Sequence, residues 1–186
     1  MHELAKPLAA LLLELSYMEG DFTLTSGRKS SYYFDGKQTA LHPEGAWLIG
    51  NVFLDMLQDA DVRGVGGMTL GADPLVSAVV ALSRQLGRPM PGFIIRKKAK
   101  GHGSNQYVEG MKNFRPGDRV ALLEDVVTTG GTLVTAIQRT EDAGLQVAEV
   151  LCLLDREEGG GEKLAELGYP LRAVFTRRSL LATGTS

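Results

Sequence analysis

The 186 residues, 44% hydrophobic and 23% charged, are enough to bury the core of one globular domain, and no apolar run approaches the roughly 20 residues of a membrane span. A net charge of −2 and a pI ≈ 5.9 exclude a basic nucleic-acid surface spread over the molecule and leave room only for a local basic patch. Cys152 is the single cysteine, so neither an intrachain disulfide nor a cysteine zinc cluster is available, and a buried thiol in a reducing cytoplasm is expected. Leu4, Leu8, Leu11, Leu12 and Leu15 recur at helical spacing and predict an amphipathic helix over roughly 3–17. The opening residues, Met1-His-Glu-Leu-Ala-Lys-Pro7, lack the charged, apolar and small-residue order of a secretory signal. Phe22–Thr25 and Ser31–Asp35 are β-like runs around Ser26-Gly-Arg-Lys-Ser30, which predicts a hairpin.

Pro43 opens a helix carrying Trp47, Leu48, Val52, Phe53 and Leu57. Strand and helix patterns then alternate: Gly64–Gly67, Pro74–Leu86, Pro91–Arg96, Arg119–Asp125, Gly131–Ala143, Val147–Leu154, Glu162–Leu167 and Leu171–Phe175. Such alternation predicts an α/β fold with a central, mainly parallel sheet flanked by helices. Residues 1–40 stand outside it as a helix and hairpin hood over the carboxyl edge of the sheet. Residues 41–186 form the core, with a flexible loop at 97–110, all within one structural domain.

The most informative run is Val120-Ala-Leu-Leu-Glu-Asp-Val-Val-Thr-Thr-Gly-Gly-Thr132. A short apolar strand ends in Glu124 and Asp125, where open α/β sheets bind ligands. The loop Thr128–Thr132 offers hydroxyls and backbone N–H groups, and the helix starting near Gly131 turns its positive end to the same spot. Side by side, the two carboxylates can accept hydrogen bonds from vicinal hydroxyls. A ribose 5-phosphate has both features. The run matches neither the Walker A pattern nor Gly-x-Gly-x-x-Gly.

Gly67-Met-Thr-Leu-Gly-Ala-Asp-Pro74 is a second helix-start loop, with Asp73 expected as the cap and Pro74 at the first helical position; it suits a diphosphate. Arg96, Lys97, Lys98, Lys100 and His102 crowd into an aperiodic, glycine-containing loop that can close over a polyphosphate. Leu154-Asp-Arg-Glu-Glu-Gly-Gly160 puts Arg156 at the end of another strand, where its planar fork can grip a carboxylate.

The Glu124–Thr132 string resembles the phosphoribosyl-diphosphate (PRPP) motif of the type I phosphoribosyltransferases. Within that group the chain is similar over nearly its whole length to the orotate phosphoribosyltransferase family. That resemblance rests on Phe-x-Leu-x-Ser-Gly-x-x-Ser at Phe22–Ser30, on Arg96, Lys97, Lys100 and His102, and on Asp-Arg-x-Glu-x-Gly from Asp155. It implies transfer of ribose 5-phosphate from PRPP to orotate, giving orotidine 5′-phosphate and diphosphate in pyrimidine biosynthesis. PRPP would be bound by Arg96, Lys97, Lys100, His102, Glu124, Asp125, Val126, Val127, Thr128, Thr129, Gly130, Gly131 and Thr132. Lys100, His102 and Asp125 would be catalytic, while Thr128 and Arg156 would hold orotate. The resemblance further implies a homodimer sharing its flexible loop across the interface. It also implies Mg²⁺ held by PRPP oxygens and water rather than by protein ligands. Many relatives carry a lysine where this chain has Thr25. Two rivals are a purine or uracil transferase, which would leave Arg156 without a carboxylate, and a nucleic-acid-binding PRPP sensor, which the acidic balance disfavours.

Overall fold

The computed structural model describes residues 3–23, 29–99 and 107–184. Helix α1 (Ala5–Leu15) leads into an antiparallel hairpin, β1 (Tyr17–Thr23) with β2 (Lys29–Phe34), and then α2 (Gly36–Ala40) and α3 (Pro43–Met56). The remainder runs β3 (Gly64–Met68), α4 (Ala72–Gln85), β4 (Gly92–Ile95), β5 (Val108–Glu109), β6 (Arg119–Val127), α5 (Gly131–Asp142), β7 (Gln146–Asp155), α6 (Gly160–Glu166), β8 (Leu171–Thr176) and α7 (Arg177–Gly184). Six strands form one sheet in the order β5-β4-β3-β6-β7-β8, parallel except where β5 meets β4. The expected α/β architecture, a mainly parallel sheet between helices, is therefore present.

From β3 the chain crosses to β4 on one side and later returns to β6 on the other. The order reverses between β3 and β6, and a crevice opens outside the carboxyl ends of strands at such a reversal. The period-2 alternation of a strand assigns each side chain of β6 to a layer. Ala121 and Leu123 join the cluster of α1, α3 and α4, with Leu8, Phe53 and Leu75. Val120 and Leu122 join the cluster of α5 and α6, with Leu133, Ile137, Cys152 and Leu164. The hood is tied to the first layer, since Leu8 and Leu12 of α1 are fully buried there with Tyr32 and Phe34 of the hairpin.

Several elements depart from the sequence expectation. Strand β1 starts at Tyr17, where the leucine repeat had suggested helix, and β6 runs on to Val127. Within 97–110, which reads as a loop, Val108 and Glu109 pair with Ile95 and Ile94. Asp73 does not cap α4: the helix begins after Gly71 with no side-chain cap, and Asp73 accepts instead from the Thr69 hydroxyl at 2.8 Å. Helices α2 and α7 were not anticipated. The first is a single turn capped by Asp35, which accepts from the Lys37 amide at 3.2 Å. The second follows β8 directly and is started by Thr176 and Ser179, each side chain accepting from the other's amide.

Candidate active site

The acidic pair sits near the end of β6, beside the reversal in strand order. Alternation starts Glu124 and Asp125 on opposite faces of the sheet, and the two are served by different neighbours. Glu124 lines a cleft of ≈ 100 Å³ together with Val126–Leu133. Asp125 lies under the hood: the Lys37 ammonium is 3.9 Å from its Oδ2, and Gly36 packs against its β-carbon. Their carboxyl ends still come close enough to interact. Burial pushes Glu124 well above the ordinary glutamate range, the charge and contact of Asp125 add to this, and Lys97 opposes it. Glu124 is 6% exposed, and its Oε2 has no hydrogen-bond partner.

A buried acceptor without a donor costs stability until a ligand supplies one. Glutamine keeps an acceptor there but cannot carry the charge that burial and Asp125 disfavour, so Glu124→Gln is expected to stabilise the protein by about 1 kcal/mol, roughly 2–4 °C in Tm for a chain of this size. PRPP binding should weaken by about 1.5–3 kcal/mol, the value of hydrogen bonds to a charged group. Because the folded carboxyl holds its proton more tightly than the unfolded one, stability falls as pH rises from the ordinary glutamate range towards the raised value. The variant should lose that slope. Calorimetry across pH and titration with PRPP check both halves; a Tm that drops with PRPP affinity intact overturns the assignment.

After β6 the chain turns through Thr128, Thr129 and Gly130 into α5. Gly130 adopts φ 74, a left-handed angle that glycine reaches without strain, and no side chain caps the helix. The first N–H groups of α5 therefore face the same cleft as Glu124, as an anion site requires. Thr128 is half-buried, while Thr129, Gly131 and Thr132 are exposed. The turn is braced from behind by Gly160 at the start of α6. A β-carbon there would lie 2.5 Å from the Val127 methyl and 2.7 Å from the Thr128 carbonyl oxygen.

On the other side of the reversal, the loop after β3 approaches Asp125 so closely that any side chain at Gly71 would collide with the carboxylate. Next to it lies a cleft of ≈ 420 Å³ lined by Thr69, Ile94, Arg96, Lys97, Lys98 and Glu109. Arg96 is anchored on three sides. Its guanidinium pairs with Glu109 at 3.2 Å, its amide donates to the Tyr107 carbonyl at 2.7 Å, and its own carbonyl accepts from Arg139 at 2.6 Å. Lys100 and His102 lie outside the described residues, as do Thr25 and Arg28 of the hairpin turn.

Arg156, at the exit of β7, is buried (7% exposed); its Nε pairs with Glu158 at 2.9 Å and its amide donates to the Val127 carbonyl at 2.9 Å. The fold thus gathers Arg96, Lys97, Glu124, Asp125, the Thr128–Thr132 run and Arg156 along one edge of the sheet. Sequence reasoning missed Lys37, Tyr32 and Arg177. Lys37 belongs to the short helix that was not anticipated. The ring of Tyr32 has the guanidiniums of both Arg156 and Arg177 against it. The doubled tyrosine of the hairpin was the available signal for one of them. Cys152 is buried as expected, and burial with the carboxylates of Asp155, Glu124 and Asp125 pushes its thiol well up, away from thiolate chemistry.

Residues 76–167, which carry the cationic stem, the acidic pair, the Thr/Gly turn and Arg156, match the family described as Phosphoribosyl transferase domain. That match sets the class. Among curated proteins, the orotate phosphoribosyltransferase of Nostoc sp. is 50% identical over 93% of this chain and 83% of its own length. Among solved structures, orotate phosphoribosyltransferase of Mycobacterium tuberculosis H37Rv in complex with Fe(III) dicitrate superposes with TM-score 0.84 at 36% identity, covering 95% of this chain and 98% of that one. A complex described as the same M. tuberculosis enzyme with PRPP gives TM-score 0.79 at 33% identity, with the same coverage. The chain belongs to the orotate phosphoribosyltransferase family.

Proposed function

We propose that the edge of the sheet described above divides the work of orotate phosphoribosyl transfer among three grips. The reaction follows from family membership: ribose 5-phosphate passes from PRPP to orotate, giving orotidine 5′-phosphate and diphosphate on the route to UMP. The Thr128–Thr132 turn and the start of α5 hold the 5-phosphate. Glu124 and Asp125, approached from the two faces of β6, take the ribose hydroxyls. Arg96, Lys97, Lys100 and His102 receive the diphosphate, the first two from the stem of the loop. Arg156 pairs with the carboxylate of orotate, and Thr128 makes a second contact with the base.

As the bond from the anomeric carbon to diphosphate lengthens, positive charge grows on the sugar and negative charge on the leaving oxygen. Cations on the leaving group stabilise that charge only as it develops, and so accelerate the step rather than merely tighten binding. The ring nitrogen of orotate then bonds to the anomeric carbon from the opposite face, its proton passing to the departing diphosphate or to solvent, and Arg156 fixes its approach. Among the described residues no group of three or more acidic, histidine or cysteine side chains is arranged to hold a metal. Family membership is the ground for assigning Mg²⁺ to the oxygens of PRPP and to water, where it would neutralise charge on the diphosphate.

We further assign a homodimer with the loop acting across the interface. Exposed Leu41 and Leu70 line an apolar cleft of ≈ 620 Å³ with Ala46 and Pro74, and such a face suits a second copy. No described helix is long and apolar enough to cross a membrane.

The observation that carries the proposal is the buried Arg156 seated against the strand that ends in the phosphate turn. A spectrophotometric assay with PRPP, Mg²⁺ and orotate tests it, with uracil, hypoxanthine and adenine as alternatives. Consumption of orotate alone is expected; turnover of an uncharged base at a comparable kcat/KM overturns it.

A further inference from the structure

Tyr32 has no part in the chemistry so far, yet three distant segments converge on it. It lies in β2, paired across the hairpin with Glu19, and is 4% exposed. Its ring stacks on that of Tyr17, with centroids 5.6 Å apart and planes 24° apart. The guanidinium carbon of Arg156, arriving from the end of β7, is 4.4 Å from the ring centre. The guanidinium carbon of Arg177, arriving from the start of α7, is also 4.4 Å from it. Burial keeps the Tyr32 hydroxyl protonated, against the pull of the two arginines, so the ring meets them as a neutral π-face.

This arrangement does two things. A guanidinium laid against a ring is held in one plane, while its N–H edges stay directed outward in that plane, where a carboxylate can take two of them. Glu158 engages the Nε side of Arg156 and so fixes its rotation within the plane. The second cation raises the positive potential around the same ring, where Glu158 offsets only one of the two. Nε of Arg177 is buried without a hydrogen-bond partner, which leaves unmet demand for an acceptor there. Two guanidiniums on one ring are more than a neutral base could use.

We propose that Tyr32 is a positioning residue for base recognition: its ring sets the plane of the Arg156 fork and, by holding Arg177 as well, makes the pocket selective for an anionic base. This rests on Arg156 as the partner of the orotate carboxylate. The experiment is a cycle of Tyr32→Leu, Tyr32→Phe, Arg156→Ala and the Tyr32→Leu/Arg156→Ala double variant, with kcat and both KM values measured for each.

Tyr32→Leu is expected to raise the orotate KM about tenfold, the effect of losing a desolvated cation–π contact, with the PRPP KM unchanged. Tyr32→Phe, which keeps the ring and loses only the hydroxyl's contact with Arg156, should recover most of the orotate KM. In the Arg156→Ala background, Tyr32→Leu should add nothing, because it acts through the missing arginine. Equal losses for PRPP and orotate, or full additivity in the double variant, mean that Tyr32 is only scaffold and overturn the proposal. A silent Tyr32→Leu beside a defective Arg156→Ala overturns the positioning role alone, whereas a silent Arg156→Ala removes the underlying reading and the proposal together. Should Tyr32→Leu fail to fold, Arg177→Gln at a half-buried position decides. A raised orotate KM with PRPP unaffected supports the shared pocket, and an unchanged KM overturns it.

Discussion

Arg156→Ala is expected to lower kcat/KM for orotate by about 2–4 kcal/mol, the range for removing one partner of a buried, hydrogen-bonded charge pair. The loss corresponds to roughly 30- to 1,000-fold. It should fall on orotate and not on PRPP, because Arg156 stands at the exit of β7, one strand away from the acidic pair of β6. The discrimination between orotate and uracil should shrink with it, since uracil has no carboxylate to lose. Lysine at 156 would not substitute: an ammonium brings the charge but not the planar two-point fork, nor the flat face that rests against Tyr32. Steady-state kinetics with both substrates varied checks the result. Orotate kinetics that stay at the wild-type level remove Arg156 from the base site.

The second large effect is expected from Lys100→Ala. Its position is outside the described residues, so the expectation rests on the cation-rich loop and on the stem that delivers it: Lys97 is placed where its charge is felt at Glu124. A cation that meets the leaving diphosphate as its charge grows acts mainly on turnover. The turnover number should fall by about 10²–10³, as when a donor to a developing anion is removed, with a much smaller change in PRPP affinity. Equal losses in both would reduce Lys100 to a recruiting charge. Mixing Lys100→Ala subunits with Asp125→Asn subunits tests whether the loop works on the neighbouring molecule. Activity recovered in the hybrid means that one intact site has been rebuilt from two defective chains.

The parts of the site legible in the sequence share a cause. Glu124 to Thr132 could be read because one strand, one turn and one helix start are consecutive in the chain, so spacing alone fixes their proximity. Arg156 could be placed at the same edge because parallel strands all end on one side of the sheet. What could not be read was which face each group takes. The two carboxylates read in the sequence as neighbours on one face, but strand alternation starts Glu124 toward the cleft of the Thr/Gly turn and Asp125 toward the hood, and only their carboxyl ends meet. Lys37 escaped notice because α2 is a single turn with no periodicity to detect, and Asp35, its cap, passed for the end of a strand. Asp73 misled in the opposite direction: its place before Pro74 suits a cap, yet the helix starts earlier and Thr69 claims the carboxylate. Contacts such as Tyr32 with Arg177 join residues far apart in the chain, and no local pattern encodes them.

The amide of Arg156 hangs from the carbonyl of Val127, and Gly160 lets the first turn of α6 press directly on the turn that follows that carbonyl. The turn proposed to hold the sugar phosphate and the arginine proposed to hold the base are thus two ends of one stiff lever. If filling either end displaces it, the other must feel the change, and thermodynamic reciprocity requires the two substrates to alter each other's affinity by the same factor.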